Sequence, residues 1–158
     1  DTEHGFSIER FQQLGGSLKS MESLFIFNIK NFDEQCKRIE EIGKIKNFKD
    51  VGLIVVDTMS FFYRISLKED KAANSKVARQ FKILSYISRE YGIPVLVTNQ
   101  VYSKIDKNDT EAVGGGMIKN WCKWLIHLEK GKQRKSVLIK PTEREFLFQI
   151  VENGIQKI

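Results

Sequence analysis

GLIVVDT, residues 52–58, decides the fold. Leu53, Ile54, Val55 and Val56 leave no polar position, whereas a strand with one face in water alternates apolar and polar side chains. The run therefore predicts a strand covered on both faces, as in a parallel sheet flanked by helices. It stops on Asp57. Ligands of open parallel sheets sit outside the carboxyl ends of the strands, which makes Asp57 a candidate site residue. The same carboxylate would also serve as the cap of the next helix, and on this stretch alone both readings stand.

Working outward, the rest of the chain supplies the partners such a strand needs. Ser7 is placed to cap a short helix over Ile8 to Leu14, ended by Gly15-Gly16. Leu24 to Ile29 reads as a second apolar strand. A helix then starts near Asn31 or Asp33, with Phe32, Cys36, Ile39, Ile42, Ile45 and Phe48 on one stripe. After the 51–57 strand comes an irregular basic stretch from Arg64 to Lys71, then a helix over about 73–91 that puts Val77, Phe81, Leu84, Ile87 or Ser88, and Tyr91 on one face. Gly92 ends it, Pro94 follows, and 94–100 (PVLVTNQ) is another buried strand with a polar end. Strands alternating with amphipathic helices imply right-handed crossovers and an α/β parallel sheet. Segments 121–129, 135–140 and 145–151, joined by links with Gly131 or Pro141, read as an antiparallel meander closing the edge of that sheet.

Composition sets the bounds. The 158 residues, 41% hydrophobic and 29% charged, fit a single globular domain. No apolar run approaches the roughly 20 residues that span a bilayer, and no segment has the build of a signal peptide. Cys36 and Cys122 lack framework spacing and are expected to be reduced core residues of a cytoplasmic protein. Trp121 and Trp124 are likewise expected in the core. His4 and His127 have no partners at ligand spacing, so no zinc cluster is expected. The net charge of +6 permits a polyanionic partner without demanding one. The chain opens on Asp1 rather than Met, and its first residues read as the end of an element, so a fragment of a longer chain is expected.

Three strand ends carry polar residues: Asp1-Thr2-Glu3, Asp57-Thr58 and Thr98-Asn99-Gln100. In a doubly wound sheet they converge on one crevice, bringing two carboxylates and an amide together. Nucleotide hydrolysis needs that equipment: an acid for the water shell of magnesium, a second group to orient the attacking water, and a polar group at the terminal phosphate. The plainer readings are a frayed terminus for Glu3 and a solvated loop residue for Gln100.

DTEHGFSIERF, LIVVDTMSFFYR, IPVLVTNQVYSKID, AVGGGMIKNW and the LEKGK turn, taken in order, resemble the consecutive motifs of the RecA/RadA recombinase superfamily, in particular its short archaeal paralogues of RadA. The resemblance runs through nearly the whole chain. It implies a RecA-like P-loop NTPase core over 1–158, incomplete at the amino end, with the first strand and phosphate loop missing. It implies that Glu3 activates water, that Asp57 is the Walker B aspartate acting on Mg2+ through water, and that Gln100 senses the terminal phosphate and passes its state to the following loop. Tyr63 and Arg64 match the start of the first DNA-facing loop, and residues 101–116 match the second loop with its glycine hinge. ATP and Mg2+ are the implied cofactors, and DNA, single-stranded or branched, and a RadA-type recombinase are the implied partners. The implied activity is accessory, with slow hydrolysis.

Two departures bear on these expectations. No Gly-x-x-x-x-Gly-Lys-Ser/Thr occurs in residues 1–158, so the phosphate cradle is not among them, and this stretch by itself is not expected to bind ATP productively. The 101–116 loop is also shorter than in strand-exchange recombinases, which favours the accessory role.

The DNA-facing reading can be stated in physical terms. Arg64, Lys68 and Lys71 fall in one predicted loop, Lys104 and Lys107 in the other with Lys119 just after it, and Tyr63 and Tyr102 offer rings for base stacking. Glu69, Asp70, Asp106, Asp109 and Glu111 interrupt the lysines, so a solvated mixed-charge surface is the competing reading. Lys130, Lys132, Arg134 and Lys135 form the densest basic run and read as a solvated hairpin tip. Two competing functions are a vigorous DNA-dependent strand-exchange ATPase and an interaction module with a vestigial nucleotide crevice.

Overall fold

The computed structural model describes residues 1–104, 109–113 and 115–158. It divides into two compact units, Asp1–Gly5 with Ile26–Trp121, and Phe6–Phe25 with Cys122–Ile158.

In the first unit, strands β1 (Ile54–Val56) and β2 (Val95–Val97) pair in parallel, with Val55 opposite Leu96. Residues 24–30 and 1–5 form no assigned strand, yet both are tied to this sheet. Asp1 donates to the Phe27 carbonyl and accepts from the Ile29 amide, each at 2.9 Å, which is the bonding pattern of a parallel pair. Thr2 in turn donates to the Asp57 carbonyl at 2.7 Å. Hydrogen bonds therefore run from 27–29 through 1–2 to β1 and on to β2.

Helix α3 (Phe32–Gly43) follows two short helices of the other unit, α1 (Ile8–Gln13) and α2 (Leu18–Met21). Asn31 caps α3 by accepting from the Glu34 amide at 2.9 Å, while the Glu34 carboxylate reaches back to the Lys30 amide at 2.8 Å. Helix α4 (Ser60–Ser66) starts directly behind β1, and the long helix α5 (Ala73–Tyr91) leads to β2. Gly92 closes α5 at φ 68°, a left-handed cap that favours glycine. Helices α3 and α5 approach so closely that a Cβ on Gly43 would lie 2.7 Å from Ile83. Phe48, Ile87 and Ile93 form the core beside them, with Ile42, Val51, Ile54 and Ile83 packed against it.

Ile54 and Val56 thus face the helices, but Val55 and Leu96 on the opposite face are 49% and 54% exposed. Within this unit the described helices lie on the Ile54 and Val56 side of the sheet. The stretch from Arg64 to Lys71 is less irregular than expected, because Arg64 lies inside α4. That helix has no side-chain cap and is held by burial of Ser60 and Tyr63. A hairpin of β3 (Val101–Lys104) and β4 (Asp109–Ala112) replaces the expected plain loop, and α6 (Gly115–Trp121) follows.

The second unit is an antiparallel meander of β5 (Leu125–Lys130), β6 (Arg134–Lys140), β7 (Arg144–Val151) and β8 (Gly154–Lys157). The last strand was not expected: Gly154 at φ 137° turns the chain back after Val151. Among the described residues the strands of the meander pair in the order β5-β6-β7-β8. Helix α1 belongs here, capped by Ser7, with the Arg10 guanidinium donating to the Val151 and Glu152 carbonyls. Trp124 is 65% exposed, against the expectation of a core position. Both cysteines are free and half-buried. Among the described residues no helix is long and apolar enough to cross a membrane.

Candidate functional site

The carboxyl ends of β1 and β2 and the 1–3 segment meet in the first unit. The Gln100 amide nitrogen donates to Glu3 Oε1 at 2.7 Å, and the Thr58 hydroxyl donates to the same oxygen at 3.2 Å. Asp57 lies one residue from Thr58, and its Oδ1 accepts from the Thr98 hydroxyl at 2.5 Å. Glu3 and Gln100, 97 positions apart, are therefore joined through one carboxylate oxygen, and Asp57 precedes the Thr58 that shares it. The Asp57–Thr58 peptide is cis. Among the described residues the second carboxylate oxygens of Glu3 and Asp57 carry no hydrogen bond, and both residues are exposed. Gln100 Oε1 is buried and also lacks a partner among these residues.

A buried frame holds these groups. Thr2, 2% exposed, accepts from the Thr58 amide at 2.8 Å and donates to the Thr58 carbonyl at 2.9 Å through one hydroxyl. Fully buried Ser60 accepts from the Gln100 amide at 2.8 Å, and the Met59 amide donates to the Thr98 carbonyl at 3.0 Å. The Asn99 amide nitrogen bridges the Gln100 and Val113 carbonyls at 3.1 and 3.0 Å, fastening the far end of the β3–β4 hairpin to the end of β2. Thr2 and Asn99 were named from sequence as polar strand-end residues without a role, and Ser60 was not singled out. Ser60 sits three residues after Asp57, and a short polar side chain so close to a strand end is the signal that would have found it.

The predicted nucleic-acid residues fare unevenly. Arg64, Lys68 and Lys71 are exposed at the end of α4 and in the turn before α5. Tyr63 is not: its ring is 2% exposed, lies 6.2 Å from the Phe32 ring, and its hydroxyl donates to Asn74 at 2.5 Å. Burial pushes its phenol pKa up. The stacking role expected of Tyr63 is thereby corrected, because the helical turn from Ser60 points this ring inward. Tyr102 and Lys104 have their backbone in β3, and Lys107 lies outside the described residues. In the second unit Lys130 and Lys132 are exposed at a hairpin tip, whereas Lys135 is paired with Glu145 at 3.1 Å and Glu129 at 3.4 Å.

The turn before α5 is fastened by ion pairs. Lys76 reaches Asp70 at 2.9 Å and Asp33 at 3.0 Å. The Lys76 ammonium, and then the Ala72 amide, hold the Asp70 carboxyl below its ordinary value, while Lys76 is pushed above its own by the two carboxylates.

Residues 1–158 match the family model described as Rad51 over their full length. The protein named DNA repair and recombination protein RadB from Methanosphaera stadtmanae is 32% identical over 167 residues, covering 98% of this chain and 72% of the relative. A protein of the same name from Methanococcus maripaludis strain C5 is 36% identical over 169 residues, covering 100% of this chain and 76% of the relative. A crystal structure of the RadB recombinase superposes with a TM-score of 0.80 at 30% identity, covering all of this chain and 76% of that one. The chain belongs to the Rad51 family and carries its RecA-like α/β fold.

Proposed function

We propose that the full-length protein containing this chain is an accessory factor of DNA repair and homologous recombination. In this reading it binds ATP, Mg2+ and DNA and assists or regulates a RadA-type recombinase, with weak hydrolysis at most. The observation that carries the reading is the joining of Glu3 and Gln100 at 2.7 Å beside Asp57.

The residues present fit the cofactor in kind. Asp57, with one oxygen held by Thr98 and the other free of hydrogen bonds among the described residues, would take the water shell of Mg2+. When bound, Mg2+ and the triphosphate supply a charge-balanced terminal phosphate as the electrophile. Glu3 is the proton acceptor and positions a water through its free oxygen, while its other oxygen is held by Thr58 and Gln100. Gln100 is the switch: its nitrogen is committed to Glu3, and its backbone is tied through Ser60 and Asn99 to α4 and the β3–β4 hairpin. Leaving Glu3 for a phosphate oxygen would move force into that hairpin. Arg64, Lys68, Lys71, Lys104 and Lys107 contact DNA phosphates without reading sequence, and Tyr102 stacks on bases.

The test is binding of a fluorescent ATP analogue to the full-length protein, with and without Mg2+. Mg2+-dependent binding that is lost in Asp57→Asn is expected, and Mg2+-dependent binding equal in wild type and Asp57→Asn overturns the reading.

A further inference from the structure

The core between α3 and α5 holds two glutamines where an apolar stripe would suffice. Gln35 and Gln80 are 2% and 1% exposed. The Gln35 amide nitrogen donates to Gln80 Oε1 at 2.9 Å and to the Met59 carbonyl at 3.2 Å, and lies 3.3 Å from the Met59 sulfur. Gln80 passes its own amide nitrogen to Cys36 Sγ at 3.2 Å. Gln35 Oε1 is buried without a partner among the described residues. Filling this space with leucine would bury no orphaned acceptor, so the amides are costly as packing. What they gain is a grip on Met59, itself fully buried and two residues beyond Asp57.

Met59 is where the turn behind β1 would otherwise be held from the sheet side alone. Thr2 fixes Thr58, the Thr98 carbonyl fixes the Met59 amide, and Ser60 is fixed by Gln100. Every one of those bonds comes from the 1–3 segment or the 98–100 segment that follows β2. The Gln35 amide is the bond that comes from the helical layer, and Gln80 orients it by accepting its second N–H. Buried networks of this kind fix one arrangement of the groups they touch.

We propose that Gln35 and Gln80 are positioning residues that hold the Asp57–Ser60 turn, and with it the Asp57 carboxylate, in register with the helical layer. This rests on the nucleotide reading given above. Outer partners of ligating groups commonly change metal affinity by about 10- to 100-fold when removed. The Gln35→Leu/Gln80→Leu double variant should therefore weaken Mg2+-dependent nucleotide binding by about tenfold.

The experiment measures affinity of full-length wild type and double variant for the fluorescent ATP analogue with and without Mg2+, with circular dichroism to establish folding. A folded double variant that keeps its Mg2+-free affinity but loses about tenfold with Mg2+ supports the proposal. Unchanged Mg2+-dependent affinity overturns it, and so does an equal loss with and without the cation, which would mean general loosening. Should the double variant not fold, Gln80→Leu alone is read by the same criteria. Absence of any nucleotide binding by wild type would instead sink the nucleotide reading, so the two failures are distinct.

Discussion

Replacing Thr2 with Val removes one hydroxyl and leaves two buried groups unpaired. In the wild type this hydroxyl accepts from the Thr58 amide at 2.8 Å and donates to its carbonyl at 2.9 Å, in a site where Thr2 is 2% and Thr58 8% exposed. Water cannot replace it there, and each orphaned buried group costs about 1–3 kcal/mol. Since valine keeps the volume, no cavity is formed, and roughly 2–6 kcal/mol is expected for the pair. For a domain of this size each kcal/mol moves Tm by about 2–4 °C, so Thr2→Val should melt at least about 4 °C lower. Thr2→Ser keeps the hydroxyl and should stay within about 1 kcal/mol of wild type. Thermal unfolding followed by circular dichroism measures both. The prediction extends to the site, because Thr58 holds Glu3: side-chain signals of Glu3 should broaden or shift in Thr2→Val and not in Thr2→Ser. A Thr2→Val protein that melts with wild type would refute the claim that this hydroxyl ties the 1–3 segment to β1.

Simultaneous Arg64→Ala, Lys68→Ala and Lys71→Ala should lower the slope of log affinity for single-stranded DNA against log salt by about 2, the value for three lost phosphate contacts; an unchanged slope removes these residues from the interface. Tyr63→Phe should leave DNA affinity unaltered and cost about 1 kcal/mol through the lost bond to Asn74, whereas a large loss of DNA affinity with stability intact would restore the ring to the interface. The Asp70–Lys76 pair makes a pH prediction with two signs. Asp70 is depressed below 3.8, so its contribution is present above that value and lost as pH falls through the folded-state value; Lys76 is raised above 10.5, so its contribution is lost only in strong alkali. In Lys76→Met the Asp70 carboxyl carbon should titrate higher by NMR, and an unmoved titration would discard the pairing.

The meeting of Glu3 with Gln100 was legible because polar residues close apolar runs. Residues 53–56 and 95–97 are apolar without alternation, and the polar residues after them are candidates for the carboxyl edge of the sheet, which is how Asp57 and Gln100 were named beside the open readings of a helix cap and a solvated loop residue. The stripe from Phe32 to Ile42 and the Gly92 stop likewise follow from helical spacing and the left-handed cap, whereas Ile45, 43% exposed, and Phe48 lie past the end of α3 at Gly43. Other features were hidden for specific reasons. Tyr63 was misplaced because the start of α4 carries no side-chain cap signal, so its helical phase, and hence the inward ring, was not apparent. The short β8 lacks an apolar run, and only its turn glycine marks it. Gln35 and Gln80 fall on the apolar stripes of their helices, three residues after Phe32 and Val77, and a polar residue at such a place was the overlooked signal.

The central claim is that Glu3, Asp57 and Gln100 serve one triphosphate. The most direct measurement is a crystal structure of the full-length protein with Mg2+ and a non-hydrolysable ATP analogue. The claim predicts the terminal phosphate beside all three side chains, with the Gln100 amide moved from Glu3 onto a phosphate oxygen. A nucleotide bound elsewhere, or bound with the 2.7 Å Glu3–Gln100 bond and the Asp57 surroundings unchanged, would contradict it.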